Sequence, residues 1–273
     1  NNFDLAFPIL QKYKFPAAFF LTTGFLDKQL PLWTDRLEQL IDSPAAVRAV
    51  VDWKDAPVGL PRFQEEPVRA QVARELKRRL KLLPIGRIHA YLSRLGERLQ
   101  QGFAWSSIPA PLQPLTWDQV REMRNTGLAS FGAHTVSHPI LSRCTPDEQR
   151  DELFRSKARV EEELGEECLA FAYPNGTRED FTSETRRLVR EAGYRMALTA
   201  EPGYNHSFAP DLYELKRWGP DYDPADLGFL VSGGVKLTQR RPAGSDTGLT
   251  GRMEGAGETE SAGIGVASTG RRA

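Results

Sequence analysis

The sequence has few cysteines, no excess of charge and no long apolar run. A transmembrane helix requires about 20 consecutive apolar residues, and no stretch here approaches that length, so we expect no part of this chain to cross a membrane. Lys plus Arg and Asp plus Glu each total 36, and this balance gives no reason to expect nucleic acid or an anionic membrane as a partner. The two cysteines, Cys144 and Cys168, permit at most one disulfide and leave the compartment open.

The sequence also lacks a signal peptide and an initiator methionine. It begins at Asn1 and passes directly into a structured pattern, so we expect it to be part of a longer protein. Its 273 residues and 40% hydrophobic content suit one large α/β domain or two small ones.

Apolar runs of strand length alternate with helical patterns along the chain. The first run, from Phe15 to Thr22, is almost continuously apolar, which is typical of a strand covered on both faces in a parallel sheet. The alternation predicts βαβ units, and hence an α/β fold with a parallel sheet or barrel. The other predicted strands are 128–133, 168–173, 194–199 and 212–218.

Capping residues mark several predicted helices. Thr116 precedes a helix over 117–125, and the Thr-Pro-Asp-Glu capping box at Thr145 begins a helix that ends before Gly165. Two more helices are predicted over 3–13 and 182–192.

Two segments depart from this alternation of predicted strands and helices. Residues 31–114 are predicted to form a long, helix-rich insertion within a domain that covers 1–240. Basic residues outnumber acidic ones over 69–98, which favours a solvated helix face; a patch that meets an anionic glycan or membrane surface is the alternative. We interpret His89, within this stretch, as an ordinary, partly buried histidine. Residues 241–273 are rich in Gly, Ser, Thr, Ala and Arg and lack aromatic residues, which predicts a disordered tail.

Two of the four histidines, His134 and His138, lie four residues apart where a predicted strand ends. Neutral imidazole is a common ligand for zinc, and ligands bind at the carboxyl ends of strands in parallel α/β folds. Thr135 and Ser137 can hydrogen-bond local backbone and hold a turn that folds both imidazoles inward. The pair therefore indicates a metal site, although ordinary histidines without metal remain the alternative and a catalytic zinc site uses about three protein ligands.

A second candidate segment also follows a predicted strand. It contains Tyr173, Pro174, Asn175 and Gly176. A Pro-Asn-Gly turn presents backbone N–H groups outward, and such groups can stabilise a developing oxyanion. The alternative is a plain β-turn in which Asn and Gly provide backbone freedom.

These residues resemble the polysaccharide deacetylases, which are also called the chitooligosaccharide deacetylase homology domain or carbohydrate esterase family four. Residues 134–138 match the family's His-[Ser/Thr]-x-x-His motif, with Gly-Ala before it and Pro-Ile-Leu-Ser-Arg after it. Residues 172–176 resemble the Ala-Tyr-Pro-x-Gly variant of another family motif. The likeness covers about 1–219 and is interrupted by the insertion.

The resemblance implies a distorted, incomplete (β/α) barrel with parallel strands and a helical insertion. It also implies a divalent metal, typically zinc, held by His134, His138 and an aspartate, and hydrolysis of N-acetyl or O-acetyl groups on a polysaccharide. The backbone N–H of Asn175 would help to hold the tetrahedral oxyanion, and Tyr173 and Pro174 would contact the substrate. By the same likeness the protein would act in the cell envelope or outside the cell; a cytoplasmic location and the oligomeric state stay open.

The sequence departs from the family at several positions. The Thr-Phe-Asp-Asp-Gly motif, which carries the family's catalytic base and third metal ligand, has no counterpart here. Ala172 stands where other branches have an arginine, and His206 does not match the family's general-acid histidine. We therefore expect weak metal binding and impaired catalysis. Two alternatives are a non-catalytic glycan-binding or interaction module, and a metal hydrolase that acts on a small amide or ester.

Overall fold

The computed structural model describes residues 1–61, 63, 68–205 and 211–218. Four strands in this part of the chain form one parallel sheet in the order β1-β2-β3-β4. Leu21 lies beside Ala133, and Ala133 lies beside Phe171, so the carboxyl ends of the first three strands meet at one edge. The strands are β1 (Ala17–Leu21), β2 (Ala129–Ala133), β3 (Ala170–Ala172) and β4 (Met196–Leu198).

Helices connect these strands and form the insertion. A π-helical turn over Asn2–Ala6 leads into the first helix, and short 3-10 turns occur at Trp105–Ser107, Ala110–Leu112 and Leu141–Arg143. The helices are α1 (Phe7–Tyr13), α2 (Thr23–Leu26), α3 (Trp33–Leu40), α4 (Pro44–Val51), α5 (Arg69–Leu80), α6 (Ile85–Leu99), α7 (Trp117–Asn125), α8 (Pro146–Leu164) and α9 (Ser183–Glu191).

Local hydrogen bonds explain why the predicted helix ends are correct. At the start of α7 the Thr116 hydroxyl accepts from the backbone of Gln119 at 3.2 Å, and the Gln119 side chain accepts from the backbone of Thr116 at 3.0 Å. Thr145 and Glu148 make the same reciprocal pair at the start of α8. That helix ends at Gly165, whose φ of +66° lies in the left-handed region that glycine adopts without strain.

The predicted α/β class, parallel sheet and helical insertion are confirmed, and the four strands form an open sheet within the described residues. In the part of the chain that the structure describes, the buried apolar side chains form two separate cores. The sheet core includes Val120, Leu153 and Phe171, which are fully buried. The insertion core is built by α3 to α6 and includes Leu37 and Leu76. The insertion therefore has apolar packing of its own.

The prediction that the first strand is covered on both faces is wrong. β1 pairs with β2 on one side only, within the part of the chain that the structure describes. Ala18 is exposed, Phe19 and Phe20 are half-buried, and Phe15, just before the strand, is 63% exposed. An apolar run alone does not reveal whether packed elements cover both faces of a strand.

The predicted strand over 212–218 is also wrong. Only Leu215 makes a bridge there, an isolated parallel one to Leu198 of β4. The predicted tail over 241–273 lies outside the described residues, and the predicted limits of the main domain stay a prediction.

Several basic residues within 69–98 form ion pairs. Glu38 of α3 pairs with Arg69 at 2.5 Å and with Lys77 at 2.6 Å, and Glu75 pairs with two arginines on its own helix. His89 is half-buried, as predicted. Within the described residues, no helix combines the length and the hydropathy needed to span a bilayer.

A substitution in the insertion core tests its packing directly. We expect Leu76→Ala to lower the free energy of unfolding by about 2–5 kcal/mol, because it opens a cavity among fully buried side chains. The matched control is Leu82→Ala, since Leu82 is 59% exposed and its loss should change stability by less than about 0.5 kcal/mol. Urea denaturation measures both, and equal effects would contradict the separate insertion core.

Both cysteines are free thiols, and burial raises the pKa of Cys168 to about 11 and that of Cys144 to about 12. The thiolate is the reactive form, so we expect both thiols of the folded protein to react slowly with a disulfide reagent at pH 8. The rate should rise as the pH approaches these values. The same chain unfolded in urea should react rapidly at pH 8; equally fast reaction of the folded protein would refute the assignment.

Candidate metal and substrate site

The loop after β2 carries the two histidines, and α2 holds one side of its backbone. The N–H of Thr23 donates to the carbonyl of Thr135 at 3.1 Å, and the N–H of Gly24 donates to the carbonyl of Val136 at 3.0 Å. A Cβ atom at Gly24 would lie 2.7 Å from that carbonyl oxygen, so this close approach requires glycine. The start of α2 therefore fixes the histidine loop to the end of β1.

Glu152, on α8, holds the other side of the loop. Its carboxylate accepts hydrogen bonds from the backbone N–H groups of Val136 at 2.7 Å and Ser137 at 3.0 Å, and from the Ser137 hydroxyl. The prediction that the Ser137 side chain bonds to local backbone is thus wrong, because its hydroxyl donates to a carboxylate from another element. Thr135 does act locally: its hydroxyl donates to the His134 carbonyl and accepts from the backbone N–H of His138.

These hydrogen bonds hold a strained backbone. Thr135 and His138 have φ values of +67° and +59°, in the left-handed region that residues with a Cβ atom seldom adopt. Each such residue costs about 1–3 kcal/mol. The loop persists because the contacts with α2 and Glu152 leave it no alternative conformation.

The strained loop brings the two imidazoles together, as predicted. Their ring centroids lie 4.7 Å apart and their planes differ by 78°. The Nδ1 atom of His134 lies 2.6 Å from the carbonyl oxygen of Ala172, at the end of β3. Because a carbonyl only accepts, Nδ1 carries the proton and Nε2 keeps its lone pair.

Burial determines the protonation state of both rings. Burial, followed by the nearby charge of His138, lowers the pKa of His134 to about 3, and the charge of Arg217 adds to the effect. Burial also lowers the pKa of His138. Both imidazoles are therefore neutral at pH 7, which is the form that binds a metal.

The two histidines line a cavity of about 390 Å³, a size that suits a small ligand or one sugar ring. One wall comes from β1 and α2, including Phe20 and Phe25. The other comes from the end of the insertion, including Leu112 and Gln113. A larger cleft of about 780 Å³ runs between α2 and α8, but it is lined mainly by charged and polar side chains and neither histidine lines it.

The Pro-Asn-Gly turn lies next to this site. The bond between His134 and Ala172 joins the histidine loop to the strand that immediately precedes the turn. Asn175 is half-buried with a φ of +58°, and its backbone N–H donates to no backbone carbonyl of the described residues. Gly176 is required there, since a Cβ atom would lie 2.7 Å from the backbone nitrogen of Ala200.

Tyr173 and Pro174, which the sequence predicts to contact substrate, have buried side chains. The Tyr173 ring stacks on Phe181 with centroids 4.1 Å apart, and its hydroxyl donates to the carbonyl of Tyr213 at 2.9 Å. Their side chains hold the turn in the sheet core, and their predicted contact with substrate stays a prediction.

The described residues contain no group of three or more His, Cys, Asp or Glu side chains that could hold a metal ion. The histidine pair therefore stands without a third ligand in this part of the chain. His206 lies outside the described residues.

A comparison with family models decides which family this site belongs to. The model described as polysaccharide deacetylase matches residues 1–197. The chain belongs to the polysaccharide deacetylase family. The resemblance inferred from the histidine and Tyr-Pro motifs is thereby confirmed, and both motifs lie within the matched residues.

Three known proteins are similar to part of this chain. The Bacillus subtilis (strain 168) protein YxkH, whose name places it in the same family, is 33% identical over 89 residues, which are 33% of this chain and 30% of YxkH. The deacetylase domain of BpsB from Bordetella bronchiseptica is 16% identical, with a TM-score of 0.44 over 80% of this chain and 66% of that domain. The Streptococcus pyogenes deacetylase PplD is 21% identical, with a TM-score of 0.39 over 72% of this chain and 84% of PplD. The chain thus spans about a third of YxkH and two thirds of the BpsB domain.

The contacts of Glu152 predict a specific loss of stability. We expect Glu152→Ala to lower the free energy of unfolding by about 3 kcal/mol, because two backbone N–H groups of the loop lose their acceptor. The imidazole resonances of His134 and His138 should shift in the same variant. Glu162→Ala is the matched control on α8, since the Glu162 side chain is 71% exposed and its loss should matter little. Equal losses in both variants would contradict the role of Glu152.

Proposed function

We propose that this chain carries the histidine part of a metal-dependent site that hydrolyses N-acetyl or O-acetyl groups on a polysaccharide. One observation carries the proposal: the hydrogen bond from His134 Nδ1 to the Ala172 carbonyl, which leaves Nε2 free beside His138 in a shared cavity. Membership of the polysaccharide deacetylase family supports the same reaction class.

The two imidazoles suit a zinc-like divalent metal. Metal-binding histidines commonly donate their second N–H to a carbonyl or carboxylate, as His134 does toward Ala172. Both rings are neutral at pH 7, so no proton has to leave before a metal binds. A divalent metal, when bound, would lower the pKa of its water and polarise the acetyl carbonyl.

The residues of the chain itself would position the reacting groups. His134 and His138 would hold the metal through their ring nitrogens. The backbone N–H of Asn175 would donate to the oxyanion that develops on the acetyl carbonyl, and its fixed turn would supply that donor without reorganisation. Since the side chains of Tyr173 and Pro174 are buried, their contact with substrate would come from the backbone of the turn.

The metal affinity of this chain should be weak. Catalytic zinc sites use about three protein ligands, and the described residues bring two histidines together without a third group. We therefore propose that the site needs a third ligand, which the family's pattern identifies as an aspartate, and that hydrolysis is impaired without it.

Zinc titration followed by calorimetry tests the two ligands. We expect weak binding to the parent chain and none to the double variant His134→Ala/His138→Ala. The matched control is His89→Ala, because His89 is also half-buried but lies in the insertion and does not line the cavity. That variant should bind zinc like the parent; a loss of binding in the control, or retention in the double variant, would refute the ligand assignment.

Acetate release tests the reaction. A chain extended at its start by a segment with the Asp-Asp-Gly motif should release acetate from acetylated hexosamine oligomers when zinc or cobalt is added. Release from simple amides instead of oligomers would indicate a different hydrolase. Failure of the correctly folded, extended chain on all of these substrates would refute the enzymatic proposal.

A second function is supported by the same lack of a third ligand among the described residues. A module that binds glycan without catalysis would need the cavity but no metal. Equal glycan affinity in the parent and in His134→Ala/His138→Ala, with no metal bound by either, would favour this function.

A further inference from the structure

Beside the histidine cavity, three aromatic side chains form a surface that the deacetylase reaction itself does not require. We define the aromatic rim as Phe25, Phe103 and Trp105. We propose that the aromatic rim binds a second sugar ring of a polysaccharide whose acetylated residue occupies the histidine cavity. This inference rests on the proposed function and names where the neighbouring part of the substrate would lie.

The aromatic rim is continuous with the cavity. Phe25 lines the cavity together with His134 and His138. Its ring centroid lies 5.7 Å from that of Trp105, and the Trp105 centroid lies 5.2 Å from that of Phe103 in an edge-to-face arrangement. All three side chains are half-buried, so each keeps part of its ring accessible. A ligand that fills the cavity would therefore meet aromatic surface where it leaves.

The segment that carries Trp105 is held in place by two glutamine side chains. Gln39 of α3 donates to the carbonyl of Ala104 at 3.2 Å and accepts from its N–H at 3.1 Å. Gln113, which also lines the cavity, donates to the carbonyls of Trp105 and Ile108, both at 2.8 Å. Four hydrogen bonds thus fix this turn before any ligand arrives, and such preorganisation reduces the entropy lost on binding.

The chemistry of the rim suits a neutral sugar. A pyranose ring has a face of C–H groups that packs on a flat aromatic ring and a belt of hydroxyls at its edge. The indole N–H of Trp105 donates to no acceptor in the described part of the chain and is not a buried polar atom, so it is available to one of these hydroxyls. The residues that line the cavity include Asn1 and Asn2, whose amide side chains suit the hydroxyl and acetamido groups of an N-acetylhexosamine.

Calorimetric titration with N-acetylglucosamine and with its tetramer tests the proposal. Trp105→Ala should weaken binding of the tetramer at least about tenfold, while binding of the single sugar, which occupies only the cavity, should not change. Trp105→Phe should retain most of the affinity for the tetramer, because it keeps an aromatic face, and it also controls for folding.

The matched control is Trp53→Ala. Trp53 belongs to the same insertion and is also half-buried, but it stacks on Tyr91, with centroids 5.7 Å apart, whereas Trp105 contacts Phe25 of the cavity wall. This variant should bind the tetramer like the parent.

Each outcome decides between the proposals. Equal tetramer affinity in Trp105→Ala and Trp53→Ala would overturn the sugar site on the rim, and so would a parent chain that does not bind the tetramer at millimolar concentration. The proposed function fails separately, if the extended chain releases no acetate. Trp105-dependent binding of the tetramer would then remain and would identify a glycan-binding surface without catalysis.

Discussion

The hydrogen bond between His134 and the carbonyl of Ala172 is the contact on which the site depends. It joins the loop after β2 to the end of β3, and so brings the histidine pair beside the Pro-Asn-Gly turn. It also selects the tautomer, because the proton on Nδ1 leaves the lone pair on Nε2. A parallel sheet makes this contact available, since neighbouring strands end at the same edge. The remaining contacts of the loop preserve its geometry.

Two elements far apart in sequence hold this contact in place. At the start of α2, position 24 must be glycine, because the backbone of the histidine loop approaches too closely for a side chain. The carboxylate of Glu152 on α8 accepts hydrogen bonds from the backbone N–H groups on the opposite side. The left-handed conformations of Thr135 and His138 are stable only between these two supports. The site is thus held by main-chain hydrogen bonds together with the side chains of His134 and Glu152.

Structural features that depend on neighbouring residues can be predicted from the sequence, whereas contacts between distant residues cannot. The caps at Thr116 and Thr145 act within one turn of helix, so their helices could be predicted closely. The histidine pair could be found because both ligands lie in one short motif. Glu152 could not, because a glutamate on a long polar helix gives no signal until α8 packs against the loop. The exposure of β1 was missed for the same reason: its composition suits a buried strand, but burial depends on its neighbours.

The insertion leaves the sheet layer and returns to it at the same cavity, with an apolar core of its own between these points. Residues of the insertion belong to the aromatic rim and to the wall of the histidine cavity, but both histidines come from the loop after β2. The contacts that orient the imidazoles come from α2, β3 and α8, outside the insertion, so substitutions within the insertion core leave these contacts in place.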